Sequence, residues 1–282
     1  MQTKIIKQKI KSVGSIKKIT KTMEMVSAAK MKKAIDNALT LRPFHVEAQH
    51  VLEDISLDPL TRHELLAHNG VPGEAVIIVA SNKGLCGSYN VNIYRKLLEA
   101  YAADERKNLK VIAFGKYSEK VAKKLHLETL ASFNHSVFTS ADAHATAKMI
   151  VDWYKEKKIG TVRILYTHFT TASLHTPTLT PLLPFSSEGQ PDTHGEPRYA
   201  YEPDQETVLS SIIPMMIHNI IYGAILESYA SEHSARMFAM KSATDNASEL
   251  QDELKLYYNR ARQEKVTQEI AEITSGAMAL AA

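Results

Sequence analysis

The chain has 282 residues, room for one or two domains, and its 44% hydrophobic and 23% charged content is that of an ordinary globular protein. A net charge of +3 is too small to announce a polyanion binder, and a single cysteine excludes an internal disulfide. No stretch approaches the roughly 18 uninterrupted apolar residues of a membrane-spanning helix.

The first segment, residues 3–54, reads as a helix. Ile6, Ile10, Val13, Ile16, Ile19, Met23 and Val26 recur at steps of three and four. Gly14 interrupts the pattern at a cost of ~1 kcal/mol, which the period survives. Pro43 predicts a kink or break near Leu41 and Arg42, and Pro59 the end of the region. Residues 1–33 hold ten lysines against one acid, Glu24. Such a block fits an acidic partner or a solvated helix face equally well. The N-terminus has no apolar secretory core. It is lysine-rich but arginine-poor, and its apolar period begins by Ile5, so it reads as mature structure rather than a transit peptide.

From about residue 70 the pattern changes. Ala75-Val76-Ile77-Ile78-Val79-Ala80 is a continuous apolar run, the mark of a strand buried on both faces. A turn-rich stretch follows at 81–87, then a helical pattern over 92–103. Residues 109–114 read as a strand, 116–125 and 141–158 as helices, and 162–166 as another strand. Strands alternating with helices predict a mostly parallel α/β sheet. Residues 186–204 turn polar and carry Gly189, Pro191, Gly195, Pro197 and Pro203, which marks a linker.

The remainder reads as one helix. Between residues 215 and 275 there is no proline and only Gly223. Met240, Ala243, Ala247, Leu250, Leu254, Tyr257 and Ala261 alternate steps of four and three, the seam of a left-handed coiled coil. A second phase follows at Val266, Ile270, Ile273, Ala277 and Leu280. A helix over 211–279 would be roughly 100 Å long at ~1.5 Å per residue, too long to bury in its own globule. The expected fold is therefore α/β with a long antiparallel coiled coil of N- and C-terminal helices. Its parts are an N-terminal coiled-coil helix (1–58), an inserted, mostly parallel, Rossmann-like α/β domain with linker (70–206), and a C-terminal coiled-coil helix (207–282).

Catalytic motifs are sparse. Gly84-Leu85-Cys86-Gly87 follows a buried strand, but a phosphate loop needs its lysine after the glycines and beside a serine or threonine, and Lys83 precedes them. A tight strand-to-helix turn is the better reading, with Cys86 a buried structural thiol. The twelve histidines are scattered, and His168 and His175 read as surface or packing residues. Two helical segments, 16–30 and 260–269, combine a seam with hydrogen-bonding side chains on the outer face, which is also what a solvated coiled-coil flank looks like. The last eight residues carry no charged side chain. That suits a tip sheathed in an apolar sleeve, or a frayed end.

Taken in order, several of these stretches resemble the gamma subunit family of the F-type ATP synthase. They are Lys18-Ile19-Thr20-Lys21, Met23-Glu24-Met25-Val26-Ser27-Ala28-Ala29-Lys30, Gly84-Leu85-Cys86-Gly87, Ser231-Glu232-His233, Met240-Lys241-Ser242-Ala243-Thr244-Asp245-Asn246-Ala247, Arg260-Ala261-Arg262-Gln263 and Ile273-Thr274-Ser275-Gly276-Ala277. The chain departs from the family pattern at Asn82, Ser88 and Pro214. The resemblance implies a central rotor stalk that couples proton-driven rotation of a c-subunit ring to changes in three alpha and three beta subunits, with an epsilon subunit at its foot. It implies no catalytic residue, metal or cofactor in this chain, no nucleic acid, and a place at the cytoplasmic face of a bacterial inner membrane reached only through the complex. By matching motifs, Met23, Arg236, Arg262, Gln263, Thr267 and Glu269 would face the beta subunits, and Tyr201 and Glu202 would lie near the c ring. Two rival readings stand beside it: a basic coiled coil gripping nucleic-acid phosphates, and a nucleotide-binding enzyme built on the middle domain.

Overall fold

The computed structural model describes residues 2–56, 63–135, 138–185, 202 and 204–281. In chain order these form α1 (Gln2–Ser56), β1 (Glu74–Val79), α2 (Tyr89–Ala100), a 3₁₀ turn (Glu105–Asn108), β2 (Leu109–Phe114), α3 (Lys116–Lys124), β3 (Glu128–Phe133), α4 (Ser140–Lys155), β4 (Thr161–Phe169), β5 (His175–Leu183) and α5 (Gln205–Ala281). The chain divides into two compact units, Met1–Ser27 with Arg236–Ala282, and Ala28–Ala235. Both long helices contribute to each unit.

The first unit is a helix pair. Lys17 Nζ donates to Ser248 Oγ at 2.7 Å, Thr244 Oγ1 lies 2.7 Å from Thr20 Oγ1, and a Cβ on Gly14 would stand 3.0 Å from Gln251 Nε2. Residue numbers fall along one helix as they rise along the other, so the pairing is antiparallel. Gly14 therefore marks a close approach rather than a mere interruption.

The seam keeps part of the one the spacing predicts: Met240 and Ala247 are buried, and Ile6, Ile10, Val13, Met23, Ala243, Leu254 and Ala261 half-buried, but elsewhere it differs. Its buried residues are Thr20, Ser27, Met240, Thr244 and Ala247, whereas Ile16, Ile19, Val26, Leu250 and Tyr257 are about half exposed or more. Two helices alone bury only a narrow stripe each. Here that stripe is filled mostly by small residues that let the backbones come close, and Ile16, Ile19, Val26, Leu250 and Tyr257 fall on a neighbouring stripe outside it.

Neither proline breaks its helix. α1 runs through Pro43, and α5 begins at Gln205, ahead of the predicted start near 210, so Pro214 lies well inside it. The carbonyls left without a donor belong to Leu39 and Ser210, both exposed, where water can serve them. The early start has a cap. Asp204 accepts from the Thr207 N–H at 2.8 Å and from its hydroxyl at 2.9 Å, and these bonds hold the Asp204 carboxyl below its usual range.

The second unit holds a five-stranded sheet in the order β3-β2-β1-β4-β5. β1 to β4 are parallel, and β5 runs antiparallel to β4. Alternate residues of the central strands serve opposite faces. Ile77, Val79, Ile112, Phe114, Val162 and Ile164 pack with Ala147, Ile150 and Tyr154 of α4 and with Leu209, Ile213, Ile217, Ile221 and Ile225 of α5. Val76, Ile78, Val111, Ala113 and Leu165 pack with Ile93 and Leu97 of α2 and Ala122 of α3. Each isoleucine so buried contributes about 1.5–3 kcal/mol. α5 holds an 18-residue window of mean hydropathy 1.6, long and apolar enough to cross a membrane by composition. Its isoleucines are instead spent on the sheet.

Candidate partner-contact surface

The helix pair leaves apolar stripes of both helices uncovered. On α1, Ile16, Ile19, Met23 and Val26 fall at steps of three and four, hence on one face. Met23 is half-buried and the other three are exposed. On α5, Ala261 is the last half-buried residue among those described, and every side chain over 262–278 is exposed. Arg262, Val266, Glu269, Ile270 and Ile273 share one face there, with Gln263 and Thr267 beside it. Ile270 is 58% exposed and Ile273 72%.

Internal contacts on this stretch are few and local. Thr267 Oγ1 donates to the Gln263 carbonyl at 2.9 Å, Lys265 pairs with Glu269 at 3.2 Å, and Gln268 reaches Glu272 at 2.9 Å. Each spans one turn and is worth at most a few tenths of a kcal/mol to the helix. A helical end of this kind is an open hydrogen-bonding and apolar surface, not a closed cavity.

Two of the motif-derived residues stand elsewhere. Arg236 is 7% exposed, so its guanidinium is enclosed by the chain. Glu202 is exposed, and Tyr201 lies outside the described residues, as does most of the 186–204 linker.

The Gly84–Gly87 turn is filled by its own neighbours. Asn90 Oδ1 accepts from the Ser81 N–H at 3.2 Å, Asn90 Nδ2 donates to Ser81 Oγ at 2.8 Å, and Ser81 Oγ donates to the Lys83 carbonyl at 2.8 Å. Cys86 is buried against Asn90 at 3.2 Å, and Leu85 takes the left-handed conformation (φ 62°) with its side chain in solvent. Beneath the turn, burial pushes the Tyr89 phenol up, and the neighbouring Glu232 pushes the same way. Among the described residues no three His, Cys, Asp or Glu side chains cluster to hold a metal.

Sequence reasoning missed one polar feature. Ser228, Ser231 and Ser234 are all buried on α5. Their signal was the three-residue step of hydroxyls along the buried stretch of α5.

Comparison with known proteins gives one family. A family profile described as ATP synthase matches residues 2–280. The chain is 36% identical over 287 residues to an ATP synthase gamma chain of Staphylococcus saprophyticus, covering 98% of each. It is 35% identical over 289 residues to an ATP synthase gamma chain of Staphylococcus aureus, again covering 98% of each. Among solved structures it superposes on a chain of the Euglena gracilis mitochondrial ATP synthase, OSCP/F1/c-ring, with a TM-score of 0.71 at 19% identity, covering 99% of this chain and 94% of that one. A chain of the Tetrahymena thermophila mitochondrial ATP synthase, central stalk/c-ring, gives a TM-score of 0.60 at 24% identity, covering 80% and 99%. These structures carry the fold, and the sequence relatives carry the family. Matched from end to end at this identity, the chain belongs to the ATP synthase gamma chain family.

Proposed function

We propose that this chain is the central rotor shaft of a proton-translocating ATP synthase. It would turn with a c-subunit ring, accompanied by an epsilon subunit, inside a ring of three alpha and three beta subunits. Catalysis and nucleotide binding would belong to the surrounding subunits. The complex would hold the chain at the cytoplasmic face of a bacterial inner membrane.

The observation that carries this reading is the second apolar stripe. Ile16, Ile19 and Val26 on α1, and Val266, Ile270 and Ile273 on α5, are exposed in the chain by itself. An encircling set of subunits gives them a partner, and the polar residues among them, Arg262, Gln263, Thr267 and Glu269, give that partner something to read. Arg236, being enclosed, would act by holding the helix pair in shape.

The energetics favour a mechanical role over a chemical one. One charge crossing 100 mV releases about 2.3 kcal/mol, and several are summed for each ATP. An exposed ion pair such as Lys265–Glu269 supplies only ~0–1 kcal/mol. Work of that size passes through steric contact between stiff bodies, and polar contacts tune where the rotation pauses. A single chain also has no threefold symmetry, so each of three surrounding sites meets a different face of it.

Substitution of Met23 tests the reading. Co-expressed with its alpha and beta subunits, the wild-type chain should purify with both. Met23→Lys should still assemble, because Met23 is only half-buried, but the added charge at a crowded contact should lower the protons pumped per ATP hydrolysed. Failure of the wild-type chain to bring alpha and beta with it would overturn the rotor reading. Unchanged pumping efficiency in the variant would remove Met23 from the contact surface.

A further inference from the structure

β4 outruns β1. Their parallel pairing ends at Ile78 with Leu165, yet β4 continues to Phe169 beside β5. Thr167 stands opposite Pro177 in an antiparallel pair that exchanges no ladder bonds, and because backbone groups alternate sides along a strand, the Thr167 N–H and carbonyl face the side that β1 has vacated. Buried backbone groups must find partners somewhere. Here they find α5. The Thr167 N–H donates to Ser228 Oγ at 2.9 Å, and Ser231 Oγ donates to the Thr167 carbonyl at 3.3 Å.

The same helix face continues in both directions. Ser234 Oγ donates to the Ala172 carbonyl in the turn after β4. Glu227 lies 2.6 Å from His168 Nδ1 and accepts from the Phe169 N–H at 3.4 Å. Ser228, Ser231 and Ser234 are each 1% exposed or less. Hydroxyls of a helix thus stand where another strand would, and they close the gap outside the carboxyl ends of β1 and β4, where open α/β sheets commonly take a ligand.

We propose that this hydroxyl ladder locks α5 to the sheet in one rotational and axial register, so that a twist of the sheet domain turns the helix instead of slipping past it. The proposal rests on the rotor reading. Apolar packing is non-directional and lets a helix re-seat one ridge over. Hydrogen bonds to a strand backbone do not: a shift of one residue, about 100° around the helix, would strand the Thr167 N–H and carbonyl in the interior. The positioning residues are Ser228, Ser231 and Ser234.

The test uses the whole ATP synthase rebuilt in proteoliposomes with this chain, and reads ATP hydrolysis, ATP-driven proton uptake and amide exchange. Ser228→Ala/Ser231→Ala/Ser234→Ala should keep hydrolysis within about twofold while protons pumped per ATP fall by about threefold or more. The Thr167 amide should exchange about tenfold faster or more. Ser228→Ala alone, which removes the acceptor for that amide together with the Ser228 contact to the Tyr89 phenol, reads the same two quantities if the triple variant does not assemble. Ile225→Val, at a buried apolar contact of the same helix, is the control and should leave the pumping ratio at the wild-type value despite a comparable loss of thermal stability. An unchanged Thr167 exchange rate, an unchanged pumping ratio, or an equal loss of ratio in Ile225→Val would each overturn the ladder. Wild-type enzyme that hydrolyses ATP without pumping would instead overturn the rotor reading, and the exchange measurement would still decide whether the ladder fastens the helix.

Discussion

At the scale of single residues, the most informative pair is Thr20 and Thr244. Both are buried where the period predicts isoleucine and alanine. Thr20 Oγ1 donates to the Lys17 carbonyl at 3.1 Å, which leaves its oxygen free to accept from Thr244. A seam lined by hydroxyls gives up some apolar stabilisation, but a hydrogen bond across it favours one axial register, and sliding by a turn would break that bond and leave each hydroxyl only a carbonyl of its own helix, Lys17 or Met240. Thr244→Val should destabilise the isolated chain by about 1 kcal/mol, and Thr20→Val/Thr244→Val should cost less than the two single changes added, because removing both partners leaves nothing unsatisfied. A double-mutant cycle by urea unfolding checks this. Strict additivity would mean the two hydroxyls do not interact. The sequence pointed to the correct helices and, at Met240 and Ala247, to the correct stripe, but it also placed Ile16, Ile19, Val26, Leu250 and Tyr257 there. Periodicity counts apolar residues, and this chain spends its largest ones, Ile16, Ile19 and Val26, outside its own seam.

At the scale of elements, legibility followed burial. β1 is a nearly continuous apolar run and β2 is broken only by Lys110, while the buried core of β4 is Val162, Ile164 and Leu165; these stretches stand out in the sequence. β3 is an edge strand with mixed, partly exposed residues. β5 carries Pro177 and Pro181, which argue against a strand unless it is an edge, and an edge is where it lies. Both escaped the pattern for that reason. Asp204 was read as part of a linker, and its capping role needed coordinates because it depends on where Thr207 points.

One junction between elements rests on a glycine. Gly115 has φ 90°, its N–H donates to the Phe133 carbonyl at 2.8 Å, and a Cβ there would stand 2.2 Å from the Ala80 carbonyl oxygen. It is the point where the ends of β1, β2 and β3 meet the start of α3. Gly115→Ala combines strained backbone with a backbone clash, and should destabilise the sheet domain by about 3 kcal/mol, read as a lowered midpoint of thermal unfolding. A stability equal to wild type would show that the junction yields more easily than its geometry implies.

At the scale of the whole molecule, family membership and surface chemistry point the same way. The two stripes that the helix pair leaves bare fall on two of the segments that resemble the family, around Met23 and around Arg262. The resemblance supplied the expected partners. The physical reading supplied the reason these helices need any, since apolar side chains at this density are unusual on a surface that meets only water. The Gly84–Gly87 turn, read from sequence as a tight strand-to-helix turn rather than a phosphate loop, has its polar interior occupied by Ser81 and Asn90. The middle domain thus has its own use for those residues.

The most direct test of the enclosed-shaft reading is the reactivity of a cysteine introduced as Ile273→Cys with the buried Cys86 replaced by serine. Ile273 is 72% exposed in the chain alone, so a maleimide should label the new thiol at the rate of a free cysteine when the chain is isolated. In the assembled complex with alpha and beta subunits, the labelling rate should fall by about tenfold or more. Equal rates in the isolated chain and in an assembled, ATP-hydrolysing complex would contradict the account.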